Sequence, residues 1–265
     1  MIKRHTDINK EYLLKIAYEQ LGINYFILLG LSISKSVYKD VYYIYNGSEH
    51  ESTLEAIVLM RHSGNLQLMC LVKKCSNETI KDFKSLIGTL PFKELIATKG
   101  NIKQLKSESI FSKCRDGALI SATDHVIVSK KQLTQEHHLR PLHPEDVPAI
   151  EVLYKLVFPS FTPPAVIREK LESKRGRGVG LFINHQLVAV AQTDFETSDA
   201  AIIVGVATHP DYQHKGYGHV IMSVLSHSLI DEGKRLILHY NDPIAGRLYD
   251  KMGFITIDQI GHYTK

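Results

Sequence analysis

The stretch Val204-Gly205-Val206-Ala207-Thr208-His209-Pro210-Asp211-Tyr212-Gln213-His214-Lys215-Gly216-Tyr217-Gly218 decides the reading of this chain. Ala200–Thr208 is apolar enough for a buried strand, and after Gly218 the residues Val220, Ile221, Val224, Leu225 and Leu229 recur at helical spacing. A strand therefore meets a helix through a turn with two glycines. Glycine lets the backbone curl without Cβ obstruction, so successive N–H groups can point into one hollow. The helix that follows leaves its first N–H groups unpaired and carries a positive dipole end. A diphosphate fits such a place with no charged side chain required. A glycine-rich turn without a ligand has the same letters, so the surrounding elements must decide.

Working outward, the spacing predicts a strand over His138–Leu142, a helix over Glu145–Phe158, a Pro-rich turn Pro159–Pro164 and a second helix over Val166–Ser173. The segment Phe158–Pro164 reads equally as a plain connector and as the lip of a pocket. A hairpin follows, Val179–Asn184 with Gln186–Thr193, before the strand and helix already described. Leu236–Tyr240 reads as a buried strand, Pro243–Met252 as a helix, and the chain is extended from Phe254. The order β-α-α-β-β-β-α-β-α-β predicts an α/β (α+β) layer, a mixed and largely antiparallel sheet flanked by helices.

The front half predicts a helix over Asp7–Leu21 capped by Asp7 or Thr6, then strands Val41–Tyr45, Leu54–Arg61 and Leu66–Val72. The last two are joined by His62-Ser63-Gly64-Asn65, a hairpin turn. A helix over Glu78–Leu90 stops at Pro91, and Glu94–Thr98, a helix over Ile102–Phe111 and a strand over Ala118–Ser129 complete the half. From Val41 on, this order echoes the later part of the rear half, which points to a duplicated unit. The place of its glycine loop is taken by Val72-Lys73-Lys74-Cys75-Ser76-Asn77-Glu78, which has no glycine. The polar run 130–137 reads as a linker, so the expected domains are 1–130 and 137–265.

At 265 residues, with roughly 150 to a domain, two domains are expected. A 23% charged and 44% hydrophobic composition excludes wholesale disorder. No run approaches the roughly 18 apolar residues of a membrane helix. Tyr25–Ile33, the most apolar early stretch, is short and lacks the frame of a signal peptide. Three cysteines, Cys70, Cys75 and Cys114, are an odd number without metal-ligand spacing and fit a reducing compartment, so a cytoplasmic protein is expected. Lys plus Arg against Asp plus Glu is 19 against 13 over residues 1–132 and 13 against 15 over 133–265, an excess of +6 in front and −2 behind. No dense basic run accompanies it, so nucleic acid is not an expected partner. Ten of the 14 histidines follow residue 132, but none has metal-site spacing, and no metal is expected.

The same residues resemble a known family. Val204–Thr208, His209-Pro210-Asp211-Tyr212 and then Gln213-His214-Lys215-Gly216-Tyr217-Gly218 are similar to the acyl-coenzyme A signature of the GNAT acetyltransferase superfamily. Downstream, Asn241-Asp242-Pro243-Ile244-Ala245 and Leu248-Tyr249-Asp250-Lys251-Met252-Gly253-Phe254 resemble its second motif. The likeness covers about residues 137–265 and suggests a tandem form whose front half is a degenerate copy, serving as scaffold or acceptor-side wall. It implies acetyl-coenzyme A as co-substrate, with Val206, Ala207 and Thr208 pairing with the pantetheine arm and Gly205 at a strand bulge. It implies further that the backbone of His214, Lys215, Gly216, Tyr217 and Gly218 holds the pyrophosphate, with Gln213 opening the loop and Asn241 near the cofactor arm. Lys215, Arg247 and Lys251 could assist the phosphates or be ordinary solvated charge. Tyr249 matches the general acid that protonates the departing thiolate; by periodicity alone it is an aromatic core residue beside Ile244, Ala245, Leu248 and Met252.

One departure stands out. Where some members carry a glutamate base on the strand, this chain has Ile202 and Ile203. Proton removal then falls to Asp194, Glu196, Asp199, His239 or water. The resemblance implies an N-acetyltransferase acting on a primary amine, a small molecule or a peptide, by direct attack in a ternary complex. A non-catalytic acyl-coenzyme A sensor, or a peptide acetyltransferase whose basic front half meets an acidic partner, are the alternatives. The acceptor and the oligomeric state are not legible, and no membrane partner is expected.

Overall fold

The computed structural model describes residues 1–32, 37–48 and 51–265. The chain forms two compact units, residues 1–120 with 257–265 in front and residues 121–256 behind. In chain order the elements are β1 (Ile2–His5), α1 (Lys10–Glu19), α2 (Leu21–Ser32), β2 (Tyr38–Gly47), β3 (Ser52–Arg61), β4 (Leu66–Cys70), α3 (Asn77–Thr89), β5 (Leu95–Thr98), α4 (Lys99–Gln104) and β6 (Lys113–Thr123). Then come β7 (His137–Pro141), α5 (Val147–Val157), α6 (Pro164–Glu172), β8 (Gly178–Ile183), β9 (Gln186–Glu196) and β10 (Ala200–Thr208). The last are α7 (Tyr217–Asp231), β11 (Arg235–Tyr240), α8 (Pro243–Lys251) and β12 (Ile255–Thr264).

The two halves repeat one element order: strand, two helices, three strands, helix, strand, helix, strand. In the front unit the strands lie in the order β1-β2-β3-β4-β5-β12-β6, and β4 with β5 is a parallel pair. In the rear unit the order is β11-β10-β9-β8-β7, and the parallel pair is β10 with β11. Each parallel pair spans a helical crossover, as the geometry of parallel strands requires.

Two apolar layers hold the rear sheet. On one face Ile221, Leu225 and Leu229 of α7 pack with Leu181, Val188, Ile203 and Leu236, all nearly or wholly buried. On the other, Ile150 and Leu153 of α5 and Ile167 of α6 pack with Phe182, Leu187 and Val190. The front core gathers Phe83 and Ile87 of α3 against Ile44, Val58 and Leu68. Strand alternation explains the sorting, since successive side chains of β10 must face opposite layers.

The mixed, largely antiparallel sheet agrees with the sequence reading, and the compact units run differently from the expected domains 1–130 and 137–265. Residues 257–265 belong to the front unit because Ile260–Tyr263 of β12 pair with Leu95–Thr98 of β5. Residues 121–136 belong to the rear unit, and the predicted linker is anchored rather than free. Ile127 donates its N–H to the Met252 carbonyl (3.0 Å), and the Ser129 N–H donates to Ser223 Oγ (2.8 Å). β6 accordingly ends at Thr123, short of the expected Ser129. The first helix begins later than expected, with Asn9 as its cap accepting from the Tyr12 N–H at 3.0 Å. The apolar stretch from Tyr25 forms the second half of α2, and its last residue, Ile33, lies outside the described residues. β1 was too short and polar to be read from periodicity.

At the end of the rear sheet where β9 turns into β10, Glu196 accepts from Arg177 (2.8 Å), Lys234 (2.7 Å) and Thr193 Oγ1 (2.6 Å). Glu232 pairs with Arg177 and, at 3.0 Å, with Lys234. The Arg177 guanidinium holds the Glu232 carboxyl down to about 2 from its ordinary 4.5. Burial pushes Glu196 the other way, but Lys234, Thr193 and Arg177 together keep it below the usual range. A carboxylate whose folded pKa is depressed stabilises the fold above its unfolded pKa and loses that contribution as pH falls. The unfolding free energy measured by urea titration should therefore fall as pH drops from 4.5 toward 2. Arg177→Met should flatten that slope and cost about 1–2 kcal/mol at pH 7, between the values for exposed and buried pairs.

Candidate functional site

β10 is paired on both sides only as far as Ile203. Its parallel ladder with β11 covers Ala200↔Arg235 to Ile203↔Leu238. Against β9 the register slips between Val204↔Gln192 and Ala207↔Val190, so β10 carries one extra residue there. Gly205 occupies the bulge at φ +60, and a Cβ there would overlap the Tyr154 hydroxyl. That hydroxyl, on α5, donates to the Gly205 carbonyl at 2.8 Å and accepts from Gln192 Nε2 at 2.7 Å. Beyond the bulge Val206 and Thr208 are half-buried. The backbone of Val206–Thr208 thus faces the gap that opens between β10 and β11.

The loop after β10 is built by its own side chains. The Gln213 side-chain amide donates to the Thr208 carbonyl at 3.1 Å and closes the loop base. Lys215 Nζ donates to the Asp211 carbonyl at 2.9 Å and lies 4.9 Å from the Tyr212 ring centre. His214 and Gly216 both take positive φ, +59 and +80, which curls the chain into the start of α7. Gly216 is the N-cap, and no side chain accepts from the first turn of this 15-residue helix, which also lacks an acidic residue there. The first bond reaching back out of α7 runs from the Val220 N–H to the Gly216 carbonyl at 3.2 Å. The N–H groups of Tyr217, Gly218 and His219 are left to a ligand or to water. Tyr217 is locked in place by its hydroxyl on His137 Nε2 (2.8 Å).

The corresponding helix of the front unit begins the opposite way. Ser76 caps α3 by accepting from the Thr79 N–H at 3.1 Å, and the buried Glu55 carboxylate accepts from the Ser76 N–H at 2.8 Å. A carboxylate already stands where an anion would dock, so that helix end is closed to phosphate.

α8 begins at Asp242, whose side chain accepts from the Ile244 N–H at 2.8 Å, and Asn241 is exposed just before it. Tyr249 is buried on α8, edge-on to Tyr240 (5.2 Å) and to Phe254 (5.9 Å). Burial, with Asp242 and Tyr240 nearby, pushes its phenol up and keeps it protonated at neutral pH. Leu248 comes close to Gly218, so α8 lies beside the start of α7. Lys215 is spent on the loop itself, whereas Arg247 and Lys251 are exposed.

The residues considered as bases do not all gather here. Glu196 is fully engaged with Arg177 and Lys234, and Asp199 accepts from Thr197 in the β9–β10 turn, at the opposite end of β10 from the bulge. His239 follows the last paired residue of β11, and alternation places it on the sheet face that α5 and α6 cover. On that face a cavity of about 200 Å³ opens beside the bulge, lined among others by Tyr154, Phe158, Phe161, Lys170, Gln192 and Gly205. The Phe158–Pro164 connector therefore does form a pocket lip. Tyr154, Gln192 and Lys170 were missed by sequence reasoning, because each looks like an ordinary helix or strand residue until the bulge brings them together.

Comparison with known proteins follows the same lines. Residues 173–261 match the FR47-like protein family. The acetyltransferase of the GNAT family from Colwellia psychrerythraea superposes with a TM-score of 0.68 at 12% identity, covering 99% of this chain and 98% of that one. A tandem GNAT protein from the clavulanic acid biosynthesis pathway gives 0.60 at 11% identity, with 99% and 98% coverage. The chain has the GNAT fold. A GCN5-related N-acetyltransferase from Kribbella flavida gives a TM-score of 0.57 at 13% identity, covering 94% of each chain. Comparison with curated protein sequences gives no match. The resemblance of the rear half to the GNAT superfamily is borne out, and the likeness to the tandem protein extends over the whole length of the chain. Among the described residues no helix is long and apolar enough to cross a membrane, and no group of three or more His, Cys, Asp or Glu is placed to hold a metal ion.

The two glycines of the loop before α7 differ physically. Gly216 needs its positive φ, whereas Gly218 does not have one, and a Cβ there would make only ordinary contacts with Thr208 and Leu248. Gly216→Ala should lower the unfolding free energy by about 1–2 kcal/mol. Gly218→Ala should leave it unchanged or raise it by about 0.5–1 kcal/mol through helix propensity. Urea titration of both variants checks the contrast.

Proposed function

We propose that the rear unit transfers an acetyl group from acetyl-coenzyme A to a primary amine by direct attack within a ternary complex. The observation that carries this reading is the opening between β10 and β11 beside a helix N-terminus that has neither a side-chain cap nor an acidic residue. The residues present suit the cofactor. Val206, Ala207 and Thr208 offer backbone groups of an unpaired strand edge to the pantetheine arm, in the manner of an added strand. The N–H groups from His214 to Gly218 hold the pyrophosphate, assisted by the dipole of α7. Gln213 acts by closing the loop, and Asn241 stands at the end of β11 on the other side of the gap.

Bound acetyl-coenzyme A supplies an activated acyl carbon and a thiolate leaving group. The amine nitrogen bonds to that carbon as the carbon–sulfur bond breaks. N–H groups near Val206 polarise the carbonyl oxygen, and Tyr249 gives its proton to the departing sulfur. The proton lost by the amine is passed by way of His239 or water and restores the Tyr249 phenol, so the amide and the free thiol are the products. The upward push on the Tyr249 pKa keeps the phenol protonated, so that it is available as a donor to the sulfur as the carbon–sulfur bond breaks.

The absence of a carboxylate at Ile202 and Ile203 favours one competing reading, a sensor that binds acyl-coenzyme A without turnover. Thiol release across a panel of amines separates the two, because a sensor releases none. Calorimetry should detect acetyl-coenzyme A binding to the full chain, weakened in Gly218→Ala although that variant folds at least as well. Tyr249→Phe should keep that affinity and lose roughly 100-fold or more in kcat. Full kcat in that variant would remove Tyr249 from the mechanism, and absence of binding would end the proposal.

A further inference from the structure

The cavity beside the Gly205 bulge brings together a buried lysine and a glutamine oxygen without a donor. Lys170, on α6, is 6% exposed, and its stem lies against Gly176. Gln192, on β9, is 1% exposed; its amide N–H is taken by the Tyr154 hydroxyl, and its Oε1 has no donor. A buried ammonium and a buried carbonyl without a donor each cost stability. Native folds keep such groups chiefly where something else completes them. Burial pulls the Lys170 ammonium below its ordinary range, and Asp194 nearby acts the other way.

The two groups are complementary. One can hold an anionic oxygen and the other an N–H, within a cavity of about 200 Å³. The remaining wall is apolar. Tyr154 packs edge-on against Phe158 (5.1 Å) and Phe161 (5.5 Å), and Ile167 lies below them. We propose that this cavity is an acceptor subsite for a small amine that also carries a carboxylate, a free amino acid with an apolar side chain, and that Lys170 holds the carboxylate while Gln192 Oε1 takes an amine N–H. This rests on the reading of the rear unit as an acetyl-coenzyme A-dependent transferase. The placement follows from the fold: Gly205 belongs both to the cavity wall and to the bulge that opens the strand edge. An amine held there is next to the backbone assigned to the thioester arm.

The test compares leucine and phenylalanine with leucinamide and phenylalaninamide as acceptors, following thiol release from acetyl-coenzyme A. The acids should exceed the amides in kcat/KM by about tenfold or more, the size expected of a charge-assisted hydrogen bond. Lys170→Met keeps the stem and removes the charge. It should raise KM for the acids by about tenfold, leave the amides within about twofold, and leave acetyl-coenzyme A affinity unchanged by calorimetry. Amides that serve as well as acids, or a variant that slows both alike, would overturn the assignment. Should acetyl-coenzyme A fail to bind at all, the transferase reading falls by itself, and the cavity is judged separately by thermal melting with millimolar leucine. A rise in Tm that Lys170→Met abolishes supports the subsite, and no rise in the unaltered protein refutes it.

Discussion

One hydrogen bond, from the Tyr154 hydroxyl to the Gly205 carbonyl, ties the rear unit's architecture to its chemistry. A strand buried between two neighbours has every reason to stay paired along its length, since unpaired backbone groups are costly. β10 departs from this at Gly205, where an extra residue turns the carbonyl out of the ladder and Tyr154 takes it up. The phenol is itself buried, and burial pushes its pKa up, so it remains a donor across the physiological range. Glycine is required there twice over, by its positive φ and by the nearness of that hydroxyl. Past this point β10 no longer pairs with β11, and a usable strand edge exists in the middle of the sheet.

The repeated element order sharpens what makes a helix terminus a binding place. α3 and α7 occupy equivalent positions in their halves, each following the third of three antiparallel strands and leading to a parallel one. Ser76 and Glu55 satisfy the first, and the segment 72–78 leading into it contains no glycine. The second is preceded by two residues of positive φ and left uncapped. Dipole and orphan N–H groups are common to both helices, so they cannot by themselves distinguish the two. The difference is local: whether the protein supplies its own acceptors. A capped terminus stabilises the fold, and an open one forgoes roughly 1 kcal/mol to remain available.

This also explains what was readable in advance. The loop 213–218, its strand and its helix were legible because conformational demands there are met by particular letters, above all glycine at Gly216. Tyr249 could be placed on its helix by periodicity, although its environment of Tyr240 and Phe254 could not. The unit boundaries were misjudged for a long-range reason: β12 pairs with β5, about 160 residues earlier in sequence, and no local pattern announces such a partner. The anchoring of 127–129 on α7 and Met252 is of the same kind. Lys170 and Gln192 were silent because a lysine near the end of a helix is normally solvated, and a glutamine in a strand is normally exposed. Only the closure of α6 over the sheet buries them.

The isoleucines at 202 and 203 bear on how a proton leaves the acceptor. Both side chains are almost wholly buried, Ile203 in the layer under α7, with β9 and β11 on either side. A carboxylate in either place would have to be desolvated. In the transferase reading, removal of the acceptor's proton falls to His239 or to water rather than to a strand carboxylate, and Lys170 is engaged with the acceptor's carboxylate.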